Sequence, residues 1–146
     1  MPQRTIRNML ADRPLITATP DMSVRAACRL MAEKRIGALL VMEGGRIAGI
    51  FTERDALNKV LAGNLDPDRT PLAQVMVAEP LCIRADRPLS HALHMMSEGG
   101  FRHVPVVEDD GRAIGMVSAR DALGQEMVEL EYDIKRMAAL ETSIGY

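Results

Sequence analysis

Gly49-Ile50-Phe51-Thr52-Glu53-Arg54-Asp55 is written a second time, 66 residues on, as Gly115-Met116-Val117-Ser118-Ala119-Arg120-Asp121. Both copies obey one grammar: glycine, two apolar residues, a hydroxyl, a variable residue, then Arg-Asp. Each reads as a short buried strand running into a helix, with Thr52 or Ser118 at the N-cap. Such a junction leaves backbone N–H groups facing the gap and a dipole that favours an anion. An Arg beside it, and a carboxylate three residues after the hydroxyl, suit a phosphorylated, ribose-containing ligand. The carboxylate would accept from sugar hydroxyls while the Arg and the N–H groups face phosphate. The same spacing also fits a capping box, in which Asp55 or Asp121 folds back onto the N-cap amide. Both readings stay open on local chemistry; the repetition, and an Arg that no cap requires, weigh toward a ligand.

The residues before each copy repeat as well. Pro14-Leu15-Ile16-Thr17-Ala18-Thr19-Pro20 is a brief extended segment bracketed by prolines. Asp21 to Ser23 opens a helix whose Val24, Ala27, Cys28 and Met31 make one apolar stripe. Ala38 to Met42 is a continuous apolar run, the look of a strand covered on both faces. Glu43-Gly44-Gly45-Arg46 turns the chain, and Ile47 to Phe51 returns it to the helix that starts at Thr52 and runs to about Leu61, stopped by Gly63-Asn64. The second unit opens with Pro80-Leu81-Cys82-Ile83. Its stripe is Leu89, Ala92, Leu93 and Met96, each 65 residues after its counterpart. Val104 to Val107 is the strand, Glu108-Asp109-Asp110-Gly111 the turn, and Ala113 to Val117 the return. The offset grows by one at that turn, and an insertion confined to a turn is what a structural repeat tolerates. The units are read as residues 14–63 and 76–125, with a lead-in at 1–13, a polar proline-bearing linker at 64–75 and a terminal helix at 126–146. Within the lead-in, residues 3–10 suit a short helix with Ile6, Met9 and Leu10 on one side.

Composition excludes several classes of function. With 18 basic against 20 acidic residues in 146, the net charge is −2, which offers no electrostatic footprint for nucleic acid. Aromatic residues make up only 3%, too few for a base-stacking platform. No apolar run approaches the roughly 18 residues that span a bilayer, so no membrane partner is expected. Arg4, Arg7, Asp12 and Arg13 interrupt any signal-peptide core, which leads to the expectation of a cytoplasmic protein. Cys28 and Cys82 form no CxxC, and in a reducing compartment they are read as free thiols. Cys28 belongs to an apolar stripe; Cys82 is placed to line a cleft, where oxidation would modulate binding. His91 and His94 lie three apart on a helix and His103 in the next strand region; no carboxylate spacing completes a metal site, so none is expected. There is no P-loop and no Ser/His/Asp or Cys/His constellation.

These two ordered sets of motifs resemble a tandem pair of cystathionine-β-synthase (CBS) domains, the arrangement called a Bateman module. The matching residues are Pro20-Asp21, Ala27, Met31 and the Gly-x-x-Thr-x-x-Asp ending of the first copy. In the second they are Asp86, Ala92, Met96, Arg102-His103-Val104-Pro105-Val106 and Gly-x-x-Ser-x-x-Asp. The resemblance covers residues 10–128. It implies an α/β (α+β) fold of two βαββα repeats related by a pseudo-twofold axis, here with a C-terminal helix, and clefts that hold adenosine-containing ligands. By resemblance Asp55 and Asp121 bind ribose. Thr52, Arg54, Ser118 and Arg120 approach phosphate, as do Arg102 and His103 just ahead of Val104-Pro105, and Ala119 belongs to the same nucleotide site. Ile16, Thr17 and Ala18, or Leu81, Cys82 and Ile83, stand at the base. Thr17 has Cys82 as its counterpart, a poorer donor, and Gly37-Ala38 stands where the second copy has Arg102-His103. Either difference gives a reason for the two sites to be unequal, or for one to be empty.

Beyond the second unit, Leu123, Met127, Leu130, Ile134 and Met137 advance by steps of four and three, a heptad-like seam. A helix this short is marginal alone, so the seam must dock, either on the chain's own body or on a second copy. Disc-like homodimers of the family favour the copy. The expectation is therefore a non-enzymatic regulatory module that needs no cofactor. As effector it would bind AMP, ADP, ATP, NAD(H) or S-adenosylmethionine, and it would signal to a separate, unidentified partner. A structural homodimer that has lost its ligand is the alternative, and a small nucleotide-processing enzyme a further one.

Overall fold

A computed structural model describes residues 4–122 and 124–143. The first repeat comprises β1 (Thr17–Ala18), α2 (Val24–Lys34), β2 (Ala38–Glu43), β3 (Arg46–Thr52) and α3 (Glu53–Asp55), preceded by α1 (Ile6–Leu10). The helix of α3 continues as a π-helical stretch over Ala56–Leu61. Then come α4 (Leu72–Val75), β4 (Val77–Ala78), β5 (Ile83–Arg84), α5 (Leu89–Gly99), β6 (His103–Val107), β7 (Ala113–Ser118), α6 (Ala119–Ala122) and α7 (Gly124–Ser143). The expected βαββα order thus occurs twice.

The sheets are β1-β2-β3-β4 and β5-β6-β7. In each, a short parallel pair (β1 with β2, β5 with β6) sits beside an antiparallel hairpin (β2 with β3, β6 with β7). Both hairpins slip register at the same place, between Val41 and Met42 and between Val106 and Val107. The first turn is made by Gly44 and Gly45, both at positive φ (57° and 77°), which only glycine adopts without steric cost. The stripes of α2 and α5 are buried as their spacing requires: Val24, Ala27 and Met31 in one, Leu89, Ala92 and Met96 in the other.

Each repeat has its own core, and each core borrows its lid from the other side of the chain. The first core holds Leu39, Val41 and Phe51 together with Leu72 and Val75 of α4. The second holds Val104, Val106 and Val117 together with Ile6, Met9 and Leu10 of α1. The stretch read as a polar linker therefore carries a helical turn, and its Leu72 and Val75 repeat the spacing of Ile6 and Met9. Backbone hydrogen bonds repeat the exchange residue for residue. Ile6 N donates to Arg87 O (3.0 Å), Arg7 N to Ala85 O (2.9 Å), and Leu89 N to Arg4 O (2.8 Å). Their counterparts are Leu72 N to Met22 O, Ala73 N to Pro20 O, and Val24 N to Thr70 O, each 2.9 Å. Arg7 further clamps the second repeat by pairing with Glu108 (2.7 and 2.9 Å).

In α7, Ile134 and Met137 of the heptad-like seam are 57% and 61% exposed, so this part of the stripe does not dock on the chain's own body. Leu123, and the side chains of Met127 and Leu130, lie outside the described residues.

Candidate functional site

β3 ends at Thr52 in extended backbone, and the capping box read as the competing possibility is fully formed there. Asp55 N donates to Thr52 Oγ1 (3.2 Å), while Thr52 N and Thr52 Oγ1 each donate to Asp55 Oδ2 (3.0 Å). Asp55 Oδ1 pairs with Lys59 Nζ at 3.1 Å. A carboxylate offers about four acceptor positions, so one remains. In the second copy Ser118 N donates to Asp121 Oδ2 (3.2 Å) and Asp121 N to Ser118 Oγ (3.1 Å). There the cation comes from far along the chain: Arg13 Nη1 lies 2.9 Å from Asp121 Oδ2. Both aspartates thus serve their own helix starts, and both also line cavities.

The larger cavity, about 620 Å³, opens between the repeats. Ile50, Leu57, Val77, Pro80, Leu81 and Phe101 form an apolar half, and Thr52, Glu53, Arg54, Asp55, Glu79, Arg102 and His103 a polar one. Its volume falls within the roughly 300–1,000 Å³ usual for small-molecule sites. Leu57, Val77 and Leu81 leave large apolar surface to solvent at 58%, 46% and 64% exposure. The two repeats are tied together at this cavity. Arg54 Nη1 donates across to Gly100 O (3.2 Å), while within the first repeat Glu53 N donates to Gly37 O (3.0 Å). Gly37 is closely approached here: a Cβ there would lie 2.6 Å from Glu53 Oε1 and 3.3 Å from His103 Nε2.

His103 therefore sits where the two units meet. Burial pulls its imidazole below the ordinary 6.5, against the opposing pull of Glu53 and Asp121, and Arg102 lowers it further. The ring is neutral at pH 7, and a phosphate placed beside it would favour its protonation. The smaller cavity, about 370 Å³, is lined by Arg4, Met9, Arg13, Arg120, Asp121 and Gly124.

The residues singled out from the sequence are sorted as follows. Thr52, Arg54, Asp55, Arg102 and His103 converge on the larger cavity, and Arg120 and Asp121 line the smaller one. Ser118 caps α6, and Ala119 packs against the second core. Ala18, Ile83, Val104 and Pro105 are buried in the cores. Ile16, Thr17 and Cys82 line neither cavity. Cys82 Sγ lies 3.4 Å from Pro80 O, and burial pushes its thiol above the ordinary 9.0, away from the reactive thiolate. Among the described residues no three His, Cys, Asp or Glu side chains gather as a metal group, and His91 and His94 are exposed. The apolar lip of Leu57, Val77 and Phe101 went unread. Its only signal was large apolar residues flanking the motif outside any stripe.

The family model described as CBS domain matches residues 6–62 and 72–126, so each match opens on the first residue of α1 or α4. A CBS domain-containing protein of Arabidopsis thaliana is 31% identical over 143 residues, 97% of this chain. The chain spans 26% of the length of that plant relative. Among solved structures, a protein with CBS domains from Burkholderia ambifaria is 33% identical with a TM-score of 0.80, over 86% of this chain and 95% of that one. A CBS domain protein from Pyrobaculum aerophilum, solved in complex with AMP, is 26% identical with a TM-score of 0.74, over 81% and 89%.

Proposed function

We propose, from the premise that this chain belongs to the CBS domain family, that it is a ligand-sensing module without catalysis of its own. The effector is an adenosine-containing molecule, with AMP as the first candidate, held in the cavity at Asp55. The observation that carries this reading is the convergence of Thr52, Arg54 and Asp55 from one repeat with Arg102 and His103 from the other. An adenine would cover the exposed apolar lip of Leu57, Val77 and Leu81. The remaining acceptor position of Asp55 would take a ribose hydroxyl, and Arg54 and Arg102 would face phosphate. A ligand touching both repeats favours one relative placement of the two, and so biases a conformational equilibrium. The AMP complex of the Pyrobaculum aerophilum protein supports the choice of ligand. The exposed Ile134 and Met137 of α7 support association with a second copy, which would carry the change of shape to a separate partner.

A thermal-shift panel of AMP, ADP, ATP, NAD(H) and S-adenosylmethionine tests the reading. Ligand at a hundred times its Kd stabilises the folded state by about 2.7 kcal/mol. Absence of any shift at millimolar concentration would overturn it. The formed capping boxes favour a second reading, a structural dimer in which both aspartates act only as caps. A turnover assay with the same nucleotides separates a sensor, which makes no product, from an enzyme.

A further inference from the structure

Arg13 and Glu79 stand 66 residues apart, the offset that separates Asp55 from Asp121 and Arg54 from Arg120. By that offset they are counterparts, and they line the two cavities with opposite charge: Glu79 the cavity that holds Asp55, Arg13 the one that holds Asp121. A carboxylate at Glu79 cannot pair with Asp55, whose cation, Lys59, comes from its own helix and lies outside the cavity lining. Arg13 lines its cavity and sits on the aspartate within it, 2.9 Å from Oδ2. A sugar hydroxyl approaching Asp121 Oδ2 must compete with that guanidinium, in a cavity of about 370 Å³ against about 620 Å³ at Asp55.

From this inversion we propose that Arg13 is a built-in competitor for the second cleft, so that the chain takes its ligand in the Asp55 cavity first. The inference rests on the adenosyl-ligand reading only for its probe. Arg13 belongs to the segment between α1 and β1, and its side chain is 48% exposed, so it can swing away without unfolding the chain. An exposed ion pair is a modest competitor, and its removal is expected to tighten the second cleft about fivefold. That asymmetry gives one dominant class of site instead of two equal ones.

Calorimetric titration of AMP into the full chain tests the proposal, with Arg13→Ala and Glu79→Arg as the paired variants. The native chain is expected to show one dominant class of site, abolished by Asp55→Asn. Arg13→Ala should expose a second class, tightened about fivefold and abolished by Asp121→Asn. Glu79→Arg should weaken the dominant class by a similar factor. The proposal is overturned if the native chain has two equal sites, if its dominant site is at Asp121, or if Arg13→Ala leaves binding unchanged or weaker. Should the native chain bind no AMP, the nucleotide reading fails on its own account. The role of Arg13 then still stands if Arg13→Ala binds AMP at Asp121, and falls if that variant is equally silent.

Discussion

Leu10 lies over Gly115 so closely that a Cβ on that glycine would stand 2.8 Å from Leu10 Cδ1. The relationship recurs 66 residues away in the other direction, where a Cβ on Gly49 would meet Met76 Sδ at 2.6 Å and Val77 O at 2.8 Å. The glycine that opens each copy of the repeated motif is thus the floor on which a lead-in segment rests.

The two glycines should differ when replaced. Gly49→Ala meets a backbone carbonyl of β4, which cannot turn aside, and is expected to cost about 1–3 kcal/mol through overpacking. Gly115→Ala meets only the end of a leucine side chain and should cost less. Denaturant midpoints at unchanged slope measure the difference, and equal costs would contradict the backbone contact.

The exchanged lead-ins predict which half loosens when a core residue is lost. Ile6 and Leu72 are both fully buried, one in each core. Ile6→Ala should cost about 2–5 kcal/mol and lower hydrogen-exchange protection in the second repeat, with β2 and β3 spared. Leu72→Ala should do the reverse. Loss of protection in the first repeat on Ile6→Ala would refute the exchange.

Asp55 separates capping from ligand binding. Asp55→Ala removes the N3 half of the capping box and should destabilise the unliganded chain by about 0.5–2 kcal/mol, the range for loss of a capping interaction. The proposed role adds a second loss: AMP should no longer raise the unfolding temperature of this variant. Full AMP stabilisation in Asp55→Ala would move the site elsewhere.

His103 predicts a pH dependence with a definite sign. Burial holds the folded imidazole below the ordinary 6.5, so the unfolded chain binds the proton more readily. Stability is complete above pH 6.5 and declines as pH falls from there toward the lowered folded value. Glu108 acts in a separate, lower window. Its carboxyl is held below the ordinary 4.5 by the hydrogen bond from Arg7, and that contribution is lost only as pH falls through that range. Proton NMR of the ring should give a midpoint under 6.5, and His103→Gln should flatten the upper slope. A midpoint above 6.5 would contradict the burial.

Much of this protein was legible from local pattern. Apolar stripes, glycine turns and hydroxyl-x-x-aspartate caps act over a few residues, so the two βαββα units, their hairpins and the capped junctions at Thr52 and Ser118 could be read in order. The stretch between the units reads as linker in the sequence because prolines and charges surround Leu72 and Val75, two apolar residues at the spacing of a single helical turn that pack in the first core. Even correctly read, Ile6 with Met9 and Leu72 with Val75 present the same short stripe, which fits either core. Local spacing carries no information about which core it enters; only chain closure in three dimensions sends each to the repeat it does not precede. The site divides in the same way. The residue types at Asp55, Arg102 and His103 were visible in the sequence. That His103 is gathered into the cavity at Asp55, while Asp121 is paired with Arg13, depends on contacts between residues some 50 to 110 positions apart. Such contacts come from packing, because side chains that far apart in sequence meet only after the two repeats have closed on one another.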